Sequence, residues 1–230
     1  MNYTFELLMC AYVRGYAMKN GLSIDKNLIE KDIFELSDYD ILELKNIALK
    51  YNLKTYYFKE KEDLARVNIV LGFLKSIYPE SLLDIGSGRG VFLFPLLRDF
   101  SYMNVTSVDI LDKRVEVLNY IKLGGISNLN VVNADICNYD VDSNSYDVIT
   151  LLEVLEHIPN VFEAVKNACR IAKNFIVVTV PSKEDDNPEH IHLLTKEKLT
   201  KMFNDCGVTN LKFGGVNGHL FMVARKWFYG

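Results

Sequence analysis

Two constellations in this 230-residue chain carry side chains that could do chemistry. The first is Leu82–Leu83–Asp84–Ile85–Gly86–Ser87–Gly88–Arg89–Gly90, an apolar run that ends in an acid and then places glycines at alternate positions. Glycine tolerates positive φ and lets a ligand press against the peptide plane, so the stretch reads as a strand-to-helix turn that holds a nucleotide-like ligand. The second is Glu153–Val154–Leu155–Glu156–His157–Ile158–Pro159, with His190 and His192 further on. Turned as a helix, Glu153, Glu156 and His157 fall at i, i+3 and i+4 on one face. With a histidine from the later loop, they suit a divalent cation that lowers the pKa of a bound hydroxyl. The same residues also suit a metal-free pocket, in which Glu156 and His157 shape the site by hydrogen bonds and His157 acts as general base. His192, followed by Leu193, Leu194 and a capping Thr195, equally suits a loop that simply closes onto the next helix.

The glycine spacing narrows the ligand. A dinucleotide fingerprint needs GxGxxG, but position 91 is Val, and a P-loop needs a terminal Gly-Lys-Ser/Thr that Arg89–Gly90–Val91 lacks. Asp84 would repel a pyrophosphate and attract an ammonium group, which points to an amino-acid-bearing nucleoside. Val108–Asp109 ends the second strand and offers a carboxylate to ribose hydroxyls. Ala134–Asp135–Ile136 follows the third strand and offers one to an adenine edge. In a doubly wound sheet the carboxyl ends of successive strands form the ligand crevice.

These residues need a scaffold, and the periodicity supplies one. Before Asp84 the pattern is helical: a stripe from Phe5 to Tyr16, a second from Ile41 to Tyr51 capped by Ser37, and a third helix from about Glu62 to Ile77. The aromatic run at Leu53–Phe58 reads as short and extended, for core or edge packing. From Leu82 onward strands alternate with helices, through strands at Leu82–Ile85, Asn104–Ile110, Asn128–Asn133, Tyr146–Leu152 and Phe175–Val180. That alternation predicts crossover helices on a parallel sheet. The pair Val208–Phe213 and Leu220–Arg225, joined at Gly214–Gly218, predicts an antiparallel hairpin. The expected fold is therefore α/β: a doubly wound, seven-stranded, mostly parallel sheet with an antiparallel last strand. Residues 1–60 form a helical extension, read as a cap over an acceptor, and 61–230 the ligand-binding domain. Pro181–Pro188 suits either a solvated loop or a lid, and His219 reads as structural.

Bulk properties exclude several classes. A net charge of −4 provides no basic field for an extended nucleic-acid footprint. The four cysteines contain no CxxC pair, which argues against a zinc ribbon or disulfide framework and for a reducing compartment. Glu6 interrupts the first apolar stretch, and no run is long enough to span a bilayer, so the expected location is cytoplasmic with no membrane partner.

The motifs LLDIGSGRG, VTSVDI, NADI and YDVITLLEVLEHIP, in this order, resemble those of class I S-adenosylmethionine-dependent methyltransferases over residues 65–226. The resemblance implies that Asp84, Gly86, Ser87, Gly88, Gly90, Asp109, Ile110, Asp135, Ile136 and Leu152 bind S-adenosylmethionine. The loop would lie under the methionine portion, with Asp84 near its amino group, Asp109 on the ribose, and Asp135 with the Ile136 amide on adenine. The ExxEH cluster resembles the metal site of RNA 3′-terminal ribose 2′-O-methyltransferases and ubiquinone-pathway O-methyltransferases, while LEHIP also resembles small-molecule enzymes without metal. It implies catalytic roles for His157, Glu156 and Glu153, with Glu153, Glu156, His157 and His192 as ligands if a divalent cation is bound. The expected activity is methyl transfer to an oxygen, less readily a nitrogen, of a small molecule. An RNA acceptor and a non-catalytic cofactor-binding protein are the alternatives, and nothing in the sequence sets the oligomeric state.

Overall fold

Leu82, Leu83, Asp84 and Ile85 are all buried, so β1 (Ser81–Ile85) is shielded on both faces, as an apolar run without alternation requires. The computed structural model describes residues 4–58, 64–184 and 186–226. Its strands are β1, β2 (Asn104–Asp109), β3 (Leu129–Asn133), β4 (Tyr146–Leu152), β5 (Ala172–Pro181), β6 (Asn210–Val216) and β7 (His219–Arg225). They make one sheet in the order β3-β2-β1-β4-β5-β7-β6. The pairs β1–β4, β2–β3 and β4–β5 are parallel, while β7 runs antiparallel to both neighbours. The expected sheet, with a reversed last strand, is the one observed. Among the described residues no helix is long and apolar enough to cross a membrane.

The chain divides into two compact units, Met1–Glu62 with Ser87–Asn133, and Asp63–Gly86 with Ala134–Gly230. The first contains α1 (Phe5–Lys19), α2 (Lys26–Glu30), α3 (Asp38–Lys50), α5 (Leu93–Asp99) and α6 (Asp112–Leu123). Helix α1 lies against α6 at backbone distance. A Cβ on Gly15 would sit 1.9 Å from the Tyr120 carbonyl oxygen, and one on Gly124 would sit 1.8 Å from that of Ala11. Beside this contact Arg14 is buried, donating to the carbonyls of Gly124, Leu28 and Lys31 at 2.8, 3.1 and 2.8 Å. A guanidinium has five donors and no acceptor, so carbonyls at the ends of helices suit it. Tyr12 and Tyr16 complete the contact, edge-on to the Tyr120 ring. The run Thr55–Phe58 is a 3-10 turn and not the extended segment its composition suggested. Phe58 is its buried anchor, stacked on Phe94 at 5.0 Å, while Tyr56 is exposed.

The second unit contains α4 (Ala65–Ile77), α7 (Val161–Ile171) and α8 (Lys196–Asp205). The expected start of α4 at Glu62, and the expected boundary after residue 60, lie outside the described residues. Lys226 closes the end of α7, its ammonium donating to the Cys169 and Ala172 carbonyls at 2.7 and 2.6 Å. The β6–β7 hairpin turns on Asn217–Gly218 alone, both at positive φ (41° and 84°), while Gly214 and Gly215 belong to the strand. A two-residue turn of this handedness matches the strand twist.

Replacing glycine by alanine inside a helix ordinarily stabilises by about 1 kcal/mol. At Gly15 the sign reverses, because the new methyl meets backbone: Gly15→Ala should lose about 3 kcal/mol. Urea unfolding measures this directly, and an unchanged midpoint at equal slope would contradict the close approach of α1 to α6.

Candidate active site

The glycine turn forms because each of its glycines adopts left-handed φ, +67° at Gly86, +55° at Gly88 and +77° at Gly90. A Cβ on Gly86 would fall 2.7 Å from the Val154 side chain, and one on Gly90 would fall 2.5 Å from the Phe94 ring. Side chains are thus excluded twice over, by torsion and by space. Helix α5 starts only at Leu93, because Gly90–Phe92 complete the turn first.

In the first unit, β2 delivers Asp109 beside this loop. Its Oδ2 accepts the Gly88 amide at 3.2 Å and its Oδ1 the Leu111 amide at 2.9 Å. Each carboxylate oxygen keeps capacity for a further donor. Ser87 and Ser107 share a hydroxyl hydrogen bond of 2.6 Å that ties the loop to β2. Ile110 and Leu111, just past the strand, are exposed at 64% and 55%. Exposed apolar side chains beside a strand-end carboxylate suit the flat face of a ring.

In the second unit, the β1–β4 register sets Asp84 opposite Thr150. The Thr150 hydroxyl donates to Asp84 Oδ1 at 2.7 Å, holding a buried carboxylate that the apolar strand would otherwise make costly. Asp135 is exposed, with Oδ1 accepting the Cys137 amide at 2.9 Å. Ile136 is buried, and its carbonyl accepts from Asn167 on α7 at 2.7 Å. Leu152, half-buried, ends β4. Thr150, absent from the expected set, was visible as the polar residue inside the apolar Val148–Leu152 run. Taken unit by unit, the donor and acceptor chemistry is compatible with S-adenosylmethionine: in the first, left-handed glycines lie beside a carboxylate with acceptor capacity left for hydroxyls, and in the second a buried acid on β1 suits an ammonium group.

After β4 the structure departs from the expected helix. Only Leu155–His157 turns, as a single 3-10 element, and Glu153 precedes it at φ +58°. Glu153 therefore does not share a helical face with Glu156 and His157. Its Oε2 lies 2.9 Å from His219 Nε2 instead. The cluster that does form joins Glu156, fully buried, with His157 and His190, their ligating atoms all within 4.8 Å of one another. The two imidazoles meet edge-on at 4.8 Å. His192 stays out of the cluster because its Nε2 donates to the Ile158 and Pro159 carbonyls at 3.0 and 3.3 Å. The backbone explains the exchange: the Ile191 and His192 amides both donate to the Glu156 carbonyl, which presses the loop onto the 3-10 turn and presents His190. His157 Nδ1 donates to the Glu189 carbonyl at 2.9 Å, which leaves Nε2 with its lone pair in the neutral ring.

Residues 51–212 match a family model described as a methyltransferase domain. A ubiquinone biosynthesis O-methyltransferase of Vibrio cholerae is 25% identical over 109 residues, covering 47% of this chain and 44% of that protein. The Rickettsia prowazekii protein of the same name is 33% identical over 108 residues, covering 44% of this chain and 41% of that protein. The matched stretch thus spans less than half the length of these relatives. Among solved structures, the methyltransferase domain of bacterial CtHen1-CN aligns with a TM-score of 0.57 at 22% identity, over 70% of this chain and 98% of that one. That likeness is one of fold. A family match across most of the chain, on a seven-stranded sheet whose last strand runs antiparallel to both neighbours, makes this protein a member of the class I S-adenosylmethionine-dependent methyltransferases.

Proposed function

We propose that the protein transfers a methyl group to a hydroxyl oxygen of a small molecule. The observation that carries this reading is the convergence of Glu156, His157 and His190 just past β4. When bound, S-adenosylmethionine supplies the electrophilic methyl group, so the chain's own task is alignment and proton removal. An oxygen nucleophile must shed its proton, and Nε2 of His157 is placed to receive it while the Glu189 carbonyl fixes the ring through Nδ1. A nitrogen acceptor would need no such group. The names of the two relatives, both O-methyltransferases, support an oxygen acceptor.

The cluster also favours a second route. One carboxylate and two imidazoles with ligating atoms this close form a donor set suited to a divalent cation, with Glu156, His157 and His190 as its ligands. Such an ion would lower the pKa of an acceptor hydroxyl. Glu153 and His192, engaged elsewhere, are outside this set. The net charge of −4 weighs against RNA as the acceptor. A cytoplasmic setting accords with the scattered free cysteines.

The deciding assay offers methyl-labelled cofactor with fractionated small-molecule, RNA and protein pools, with and without chelator. Label in the small-molecule pool supports the proposal, label confined to RNA redirects it, and no label in any pool favours a non-catalytic binding protein. Transfer indifferent to EDTA assigns the proton to His157, whereas loss restored by Mn²⁺ assigns the cluster to a cation. His157→Gln should lower kcat by about a hundredfold on either route, with S-adenosylhomocysteine affinity nearly unchanged. Asp109→Ala should do the reverse in titration calorimetry, weakening S-adenosylhomocysteine by about tenfold or more through loss of the ribose acceptor and both loop anchors.

A further inference from the structure

Glu153 is the residue whose geometry the site described above does not use. Its positive φ is uncommon for a side-chain-bearing residue and persists only where the surroundings impose it. The surroundings are identifiable: the Glu153 amide donates to the Thr179 carbonyl at 2.9 Å, at the end of the β4–β5 ladder. Regular alternation would send the Glu153 side chain to the face opposite Leu152. The left-handed turn brings it instead to His219. Pairing across β5 and β7 sets His219 opposite Pro181 and Phe221 opposite Thr179, and Leu152 pairs with Thr179, so Leu152, Thr179, His219 and Phe221 share one sheet face.

Two polar atoms here lack partners. Glu153 Oε1 and Thr179 Oγ1 are both sealed from solvent and make no hydrogen bond, and Thr179 is only 1% exposed. Buried polar atoms in folded proteins are nearly always satisfied. His219 cannot satisfy Oε1, because its Nδ1 donates to the Asn217 carbonyl at 3.0 Å and its Nε2 already faces Oε2. The Glu153 side chain as a whole is 25% exposed, so its carboxylate lies close to solvent although Oε1 itself is covered. The half-buried Leu152 and Phe221 supply apolar walls beside it.

We propose that Glu153, held by His219 and accompanied by Thr179, is a subsite that receives a hydroxyl of a phenolic acceptor. This rests on the O-methylation reading and adds the acceptor's class to it. A carboxylate oxygen accepts from a ligand hydroxyl, Thr179 can donate or accept, and the apolar walls take the ring. His219 is a positioning residue: it fixes the carboxylate and does not itself meet the ligand. The Glu153–His219 subsite is separate from the Glu156, His157 and His190 cluster, so a ring with adjacent hydroxyls could present one to each.

The test uses catechol and its dimethyl ether, which has the same ring and no donor. Both are titrated into the full chain saturated with S-adenosylhomocysteine, with cofactor affinity as the check that each variant is folded. The unaltered protein should prefer catechol by about tenfold. Glu153→Leu should abolish that preference and His219→Phe should reduce it, each with cofactor affinity retained, while Thr179→Val should weaken catechol alone. Equal binding of both compounds, no binding of either, or a preference that survives Glu153→Leu would overturn the subsite. None of these outcomes bears on methyl transfer to other hydroxyls, which the labelled-methyl assay decides separately.

Discussion

A parallel sheet gathers chemistry at the carboxyl ends of its strands, and the left-handed residue at the end of β4 governs how that chemistry is arranged here. A side-chain-bearing residue at φ +58° costs on the order of 1 kcal/mol. The hydrogen bond from its amide to Thr179 holds it there. Everything downstream inherits the turn. The 3-10 element begins two residues later, Glu156 is driven into the interior, and its carbonyl becomes the anchor for the loop that carries His190. A helical continuation of β4 would have put three acid and histidine side chains on one stripe. The bend divides them between two groups, one centred on His157 and one on His219.

The same contrast explains what the sequence made legible. Strand β4 appears with the expected bounds, since its apolar run is long and free of competing turn signals. Asp84, Asp109 and Asp135 stand at strand ends as expected, because the alternation of β and α patterns fixes where strands end. The Glu153 group was not legible in the same way. Helical spacing at i, i+3 and i+4 is a property of a regular helix, and nothing in Glu153–Val154 announces a left-handed residue. Choosing between His190 and His192 depended on two amides sharing the Glu156 carbonyl, a long-range bond with no local signature. His219 read as structural because its partner lies 66 positions earlier, across three strands.

The N-terminal helices show a different gap between composition and structure. Their apolar stripes announced helices but not what those helices touch. The residues that make the contact are Gly15, Arg14 and Gly124, and nothing in their local spacing announces it. In the fold they make a contact too close for any Cβ, sealed by a buried guanidinium. Helix α1 therefore belongs to the packing of the unit that carries Asp109.

The terminal hairpin deserves to be seen as a ruler. Its turn consists of Asn217 and Gly218 only, and the Gly218 carbonyl accepts both the amide and the hydroxyl of Ser182, at 2.9 and 2.7 Å. With so short a connection, loop length alone dictates which side of β7 each residue occupies. One residue added or removed would exchange the two faces of the strand, turning Leu220 inward where His219 had been. A chemical partnership is thus encoded as a count of residues, so a small insertion or deletion at an exposed loop tip would change which side chain meets Glu153 without altering any residue of the strands.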